Sequence, residues 1–142
     1  MKNNSIIKIC ISLAKQSLLE GDVPVGAVVE RNGKIIGQGR NIVNKSKIGT
    51  HHAEILAIND ACEHLGEWRL IDCTLYVTLE PCLMCVGAIN NCRLKKVVYG
   101  ADNHFFGAIE HIDPKIEVLS GIMKQECSDL LSDFFKKLRS KR

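Results

Sequence analysis

The sequence contains no apolar run that approaches the ~20 residues of a membrane-spanning helix. Its first residues also lack the apolar stretch and the small-residue cleavage site of a secretory signal. These two absences predict a cytoplasmic protein that does not enter a membrane. Repeats, low-complexity tracts and linkers are absent as well, so the 142 residues predict a single domain over positions 1–142.

The seven cysteines are an odd number, which excludes a complete set of disulfides within one chain. Most of them lie scattered among apolar residues. These are predicted to be buried free thiols: Cys10, Cys62, Cys73, Cys92 and Cys127. Only Cys82 and Cys85 are spaced in a way that indicates chemistry.

The formal net charge of +3 is too small to indicate a partner. Basic residues do cluster at positions 136–142, where they could contact phosphates. They could equally be solvated cations that complement the negative end of a helix. Charge alone favours the second interpretation.

Hydrophobic periodicity and turn residues predict helices that alternate with strands. The predicted helices cover residues 5–20, 50–65, 81–91 and 122–138, and the predicted strands cover 25–29, 35–38, 73–78, 96–99 and 116–118. Thr50 is expected to cap the second helix, and Pro81 to lie in the first turn of the third. The last helix is expected to bury Leu130, Leu131, Phe134 and Phe135. This order predicts an α/β fold of three layers, with helices on both faces of a mixed five-stranded sheet.

Cys82 and Cys85 are three residues apart at the predicted start of a helix, so both sulfurs can point the same way. The positive end of a helix favours the thiolate, which is the form of cysteine that binds metals. A Cys-x-x-Cys pair alone is equally compatible with a zinc site and with a redox dithiol.

A second segment, His52 to Glu54, favours zinc. Two thiolates and one imidazole leave the fourth position of a zinc ion open for water, which is typical of a catalytic rather than a structural site. A nearby carboxylate is then needed to accept a proton, and Glu54 is placed for this role. His51 is an alternative ligand; His52 is preferred because it keeps the His-x-Glu spacing found in zinc nucleobase deaminases.

These motifs and their surroundings resemble the bacterial tRNA-specific adenosine deaminases of the cytidine deaminase superfamily. The similar segments are residues 22–28, 37–41, 50–54, 69–72, 74–82, 84–85, 97–101 and 130–135. The resemblance implies a cytidine-deaminase-like fold, one CMP/dCMP-type deaminase domain over 1–142 and a homodimer with one Zn²⁺ per subunit. The implied reaction converts the wobble adenosine of a tRNA anticodon, expected to be that of an arginine tRNA, to inosine with release of ammonia.

The same resemblance implies roles for individual residues. Zinc would be held by His52, Cys82 and Cys85. Glu54 would carry a proton from the attacking water to the ring and to the leaving amine. Asn41 would hydrogen-bond the target nucleotide. The other substrate-binding residues implied are Val25 and Leu79 as apolar walls, Asn103 near the flipped base, and Phe134 and Phe135 facing the anticodon loop of the tRNA beside Lys136 and Lys137.

The sequence departs from the family in the loop after Gly100. Asn103 lies where the family usually has an aspartate before a Lys-Thr-Gly stretch, and the segment that follows is shorter. Because an asparagine removes a negative charge that would face phosphates, we expect looser discrimination among nucleic acids. No role is assigned from the sequence to His104, Phe105, Phe106 and His111.

Three other functions remain open at this point. The first is deamination of a free nucleobase or nucleoside (guanine, cytosine or cytidine) with the same zinc chemistry. The second is a non-catalytic subunit, which would have no use for Glu54. The third is an RNA-binding module, but aromatic residues outside the last helix are few, and Trp68, Tyr76 and Tyr99 are expected to pack in the core.

Overall fold

The computed structural model describes residues 2–140, so Lys141 and Arg142 of the basic cluster lie outside the described part. The helices are α1 (Lys2–Leu19), α2 (Val43–Ser46), α3 (Ala53–Leu65), α4 (Leu83–Asn91) and α5 (Lys124–Ser140). The strands are β1 (Gly26–Arg31), β2 (Lys34–Arg40), β3 (Cys73–Leu79), β4 (Lys96–Ala101) and β5 (Glu117–Leu119). Within residues 2–140, no helix combines the length and apolar character needed to cross a membrane.

The five strands form one mixed sheet in the order β2-β1-β3-β4-β5, which confirms the predicted fold. Strand β1 runs antiparallel to both β2 and β3. Strands β3, β4 and β5 run parallel to one another. Parallel strands end at the same edge of a sheet, so Leu79 and Ala101, which are paired, bring the ends of β3 and β4 together there. Such an edge is where open α/β sheets bind ligands.

Helices cover both faces of the sheet, and side chains on each strand alternate between them. On one face, α1 and α5 pack against Val28, Tyr76 and Val98. On the other face, α3 and α4 pack against a larger set that includes Val77 and Val97. The residue alternation in β1, β3 and β4 therefore builds two cores, and the second of them supports the two helices that begin at the sheet edge described above.

Two glycines in β2 let α3 lie directly on the sheet. A Cβ atom at Gly39 would lie 2.5 Å from the carbonyl oxygen of Ala53, and one at Gly37 would lie 2.4 Å from that of Ala57. Any larger residue would push the helix away from the strand. The close approach fixes the first turn of α3, and with it His52 and Glu54, against the sheet.

Three helices, α3, α4 and α5, begin two or three residues later than predicted. His52, not Thr50, is the N-cap of α3, because the carbonyl of Thr50 accepts a hydrogen bond from His52 N–H and the first helical bond runs from Leu56 to His52. The N-cap of α4 is Cys82. Pro81 precedes that cap, and its carbonyl accepts a hydrogen bond from Ala108 N–H at 3.0 Å instead of joining the helix.

The expectation of a packed Trp68 is wrong. Its side chain is 51% exposed, and the guanidinium carbons of Arg69 and Arg93 lie 5.0 and 5.3 Å from the ring centroid. These cation–π contacts hold the indole at the surface. Tyr76 and Tyr99 are buried as expected.

The last helix and the cysteines depart from expectation in smaller ways. Leu130 is buried, whereas Phe135 is 44% exposed because it lies on the edge of α5 that faces a cavity described below. All the predicted free thiols are unpaired. Cys62 and Cys92 are only half-buried, and the remaining three, Cys10, Cys73 and Cys127, are buried.

Candidate active site

Two helix starts bring one imidazole and two sulfurs together. His52 and Cys82 are the N-caps of α3 and α4, and Cys85 lies in the first turn of α4. The Nδ1 atom of His52 is 3.6 Å from the Cys82 sulfur and 3.7 Å from the Cys85 sulfur. All three ligand atoms lie within 4.8 Å of one another, so this group could hold a metal ion.

Hydrogen bonding within the group favours a thiolate at Cys82. The thiol of Cys85, followed by the imidazole of His52, lowers the pKa of Cys82 to about 4. The pKa of Cys85 is raised, first by its hydrogen bond to Cys82 and then by burial. The pKa of His52 is raised by its hydrogen bond to Cys82. A nitrogen and two sulfurs at the positive ends of two helices are the donors that zinc prefers.

His51 does not belong to this group. Its Nδ1 atom is 2.9 Å from the hydroxyl oxygen of Ser46, so the ring faces the end of α2. Of the two adjacent histidines, the structure therefore brings His52 to the cysteines.

Glu54 lies in the first turn of α3 and is 4% exposed. Burial raises the pKa of its carboxyl group to about 7. A carboxyl group with a pKa near neutrality can both accept and donate a proton, which is what a general acid–base residue must do.

A cavity of about 660 Å³ opens above His52, Glu54 and Cys82. Among the residues that the resemblance assigned to the substrate, this cavity is lined by Val25, Asn41, Leu79, Asn103 and Phe135. Phe134 does not line it and packs edge-on against Phe135, with ring centroids 5.3 Å apart. The substrate contacts of these residues stay predictions.

The side chain of Asn41 is held by its oxygen atom, which leaves its NH₂ group available to a ligand. Its Oδ1 atom accepts a hydrogen bond from Val43 N–H at 3.1 Å, and its backbone N–H donates to the carbonyl of Val25. The amide NH₂ group can therefore donate to an acceptor in the cavity.

Sequence reasoning missed Glu80, which holds the loop between β4 and β5. Glu80 is buried, and its two carboxylate oxygens accept hydrogen bonds from the N–H groups of Asn103 (3.1 Å) and Ile109 (3.2 Å). A Cβ atom at Gly107 would lie 2.4 Å from the same carboxyl group. The only signal in the sequence is an acidic residue at the end of an apolar strand.

A His-x-Glu segment and a Pro-Cys-x-x-Cys segment that meet at one cavity are the mark of nucleobase deaminases. The order of strands and helices agrees with this, since the mixed sheet places both segments at its edge. The class defined by fold and site is thus a deaminase with a cytidine-deaminase-like α/β fold.

Comparison with known proteins narrows this class. The family of MafB19-like deaminases matches residues 1–139. A tRNA-specific adenosine deaminase of Bacillus subtilis (strain 168) is 42% identical over 145 residues, which is 96% of this chain and 90% of that protein. The chain belongs to the MafB19-like deaminase family. It is similar over most of its length to relatives named tRNA-specific adenosine deaminase.

Two solved structures are also similar. One comes from work on A-to-I editing by tRNA:A34 deaminases and has a TM-score of 0.84 at 34% identity, covering 89% of this chain and 99% of that chain. The other is a guanine deaminase from Bacillus subtilis, with a TM-score of 0.68 at 42% identity, covering 70% of this chain and 64% of that chain. The fold is therefore shared by enzymes for a nucleotide within RNA and for a free base.

Proposed function

We propose that this protein hydrolyses the wobble adenosine of a tRNA anticodon to inosine and ammonia. Water adds at C6 of adenine, the bond between C6 and the exocyclic nitrogen breaks, and ammonia leaves. The observation that carries the proposal is the buried carboxyl of Glu54 beside the His/Cys/Cys group. The chain that contains this site matches a tRNA-specific adenosine deaminase over 90% of that protein's length.

The residues of the site have distinct roles in this proposal. His52, Cys82 and Cys85 hold one Zn²⁺ per subunit, which supplies Lewis-acid activation of water when bound. Glu54 accepts a proton from the water and returns it to the adenine ring and to the leaving amine.

The substrate contacts follow from the cavity wall. Val25 and Leu79 pack against the faces of the base, and the free NH₂ group of Asn41 donates a hydrogen bond to the nucleotide. Phe135 borders the entrance on α5, and Phe134 supports it by its edge-on contact. Anticodon nucleotides are already single-stranded, so extruding one of them into a cavity costs only about a few kcal/mol.

Activity on a defined RNA hairpin tests the proposal. The zinc-loaded protein is incubated with the anticodon stem-loop of an arginine tRNA that carries adenosine at the wobble position, and with the stem-loops of other tRNAs. Free adenosine, guanine, cytosine and cytidine are incubated in parallel, and products are identified by mass. We expect inosine at the wobble position of the arginine stem-loop and no turnover of the free compounds. Turnover of a free base with every hairpin intact would assign the protein to nucleobase salvage.

We also propose that the protein is a homodimer in the cytoplasm, where tRNA is found. The family resemblance implies the dimer, and the start of α4 offers an apolar surface, since Leu83 is 63% exposed and Met84 is 36% exposed. Light scattering would give about twice the 15.8 kDa mass of one chain. A mass near 15.8 kDa at micromolar concentration would exclude the dimer.

Asn103 is expected to relax the choice between RNA and DNA. Its Oδ1 atom accepts a hydrogen bond from Phe106 N–H at 3.1 Å, and an aspartate can accept the same bond, so N103D keeps the loop and adds one negative charge. We expect N103D to lower the rate on a single-stranded DNA hairpin more than on the matching RNA. The quantity compared is kcat/KM on RNA divided by kcat/KM on DNA. The same value of this ratio in wild type and in N103D would refute the hypothesis.

A further inference from the structure

The tip of the loop between β4 and β5 is an ordered turn. The carbonyl of Asn103 accepts a hydrogen bond from Gly107 N–H at 3.0 Å, and its side chain accepts one from Phe106 N–H. Below this turn, the carboxylate of Glu80 holds the backbone on both sides. Hydrogen bonds at the base of the turn thus hold residues 104–106 in place, and neither apolar core includes these residues.

This ordered turn holds two aromatic side chains in solvent. Phe105 is 90% exposed and Phe106 is 74% exposed. The two rings contact each other with centroids 6.5 Å apart and planes tilted by 52°, so they offer two differently oriented faces. Exposed apolar groups gathered in one place are typical of binding surfaces.

Both rings belong to the wall of the same cavity that ends at Glu54. Helix α5 also lines this cavity, through residues that include Leu131 and the 44% exposed Phe135. Aromatic rings from two separate elements, the turn and α5, therefore line the same cavity. When the base of one nucleotide occupies the cavity, the RNA backbone on both sides of that nucleotide must pass through the entrance of the cavity. The neighbouring nucleotides therefore lie close to the aromatic rings.

We propose that Phe105 and Phe106 stack on the unpaired nucleobases next to the target nucleotide. Every base has a π-face, so aromatic side chains bind single-stranded segments without reading their sequence. Exposed cations follow Phe135 on α5, at Lys136 and Lys137, and can neutralise phosphates of the same segment. The proposal rests on the function proposed above and adds a binding site for the nucleotides on either side of the edited one.

The experiment compares variants and substrates in pairs. The double variant F105A/F106A is assayed on the anticodon stem-loop, on stem-loops with an abasic site directly 5′ or 3′ of the target, and on a stem-loop with abasic sites on both sides. We expect the double variant to raise KM roughly 5- to 100-fold on the intact stem-loop, which is the range expected for losing base stacking. We expect kcat to change less than about twofold, because neither ring touches the reacting atoms.

Three comparisons separate stacking from a general effect on the fold. On the stem-loop that lacks both neighbouring bases, the double variant and wild type should have the same KM, since both stacking interactions are already absent. F106W should keep a KM close to that of wild type. I71A serves as a control because Ile71 is also exposed (58%) but precedes the start of β3, at the other end of the sheet, and its KM should not change.

Other results would overturn the proposal. An unchanged KM in F105A/F106A, or an equal rise in KM on the intact stem-loop and on the stem-loop that lacks both neighbouring bases, would mean that the rings bind no neighbouring base. They would then serve another partner, such as a protein. Wild-type enzyme that converts no stem-loop but deaminates a free base would refute the proposed function itself. Binding of the stem-loop, followed by fluorescence anisotropy, would in that case still decide whether the rings contact RNA.

Discussion

Replacement of Glu54 by glutamine is expected to lower kcat/KM for the anticodon stem-loop by roughly 10²- to 10⁴-fold, the usual contribution of a general acid–base residue. Glutamine has nearly the shape of glutamate but can neither take up nor release a proton at neutral pH. The loss should therefore be found in kcat, with zinc content unchanged at one ion per chain. The measurement is single-turnover formation of inosine together with metal analysis of the same sample.

The same substitution should not weaken the fold. Glu54 is buried, and burial raises the pKa of its carboxyl group to about 7, which means that the protein environment disfavours its charge. A neutral amide avoids that charge, so the melting temperature of E54Q should equal or exceed that of wild type. The matched control is E63Q, because Glu63 lies on the exposed side of the same helix and does not line the cavity above His52. An E54Q enzyme with more than about a tenth of the wild-type rate would remove Glu54 from the mechanism.

Replacement of Cys85 by serine is expected to abolish both zinc binding and activity. The sulfur of Cys85 is completely buried and lies within the group that we propose holds the metal. A serine hydroxyl does not ionise at neutral pH, and two remaining protein ligands are fewer than zinc sites use. The purified variant should contain roughly a tenth or less of an equivalent of zinc and form no detectable inosine.

The control for this experiment is C92S, at the other end of the same helix. Cys92 is the C-cap residue of α4 and its thiol is half-buried, so the substitution changes the same chemical group outside the cavity. We expect C92S to keep one zinc ion per chain and full activity. Full zinc content in C85S would mean that the metal is held by a different set of ligands.

Local patterns in the sequence were sufficient to predict the elements and the centre of the site. The His-x-Glu and Cys-x-x-Cys spacings each lie within one helix start, and their geometry depends on few neighbours. That the two segments meet follows from the alternation of strands and helices, which brings the helices that hold them to one edge of the sheet. The short helix α2 could not be predicted, since its four residues carry no hydrophobic period.

Features that depend on distant residues could not be predicted from the sequence. The role of Glu80 requires Asn103 and Ile109, which reach it only after the chain has passed through α4 and β4. The sequence around Trp68 suggested a packed side chain, but the structure exposes it. Its exposure results in part from Arg93, whose contact with the ring depends on the position of the α4–β4 connection.

The two hydrogen bonds accepted by Glu80 hold the loop between β4 and β5 in place without using the side chains at its tip. Residues 104–106 contribute nothing to the buried cores, and the hydrogen bonds that anchor the loop use backbone N–H groups that any residue other than proline provides. Side chains at these three positions can therefore vary freely during evolution, or in a designed library, while the backbone path is preserved. The enzyme thus carries a replaceable segment at the entrance to a site whose chemistry stays constant.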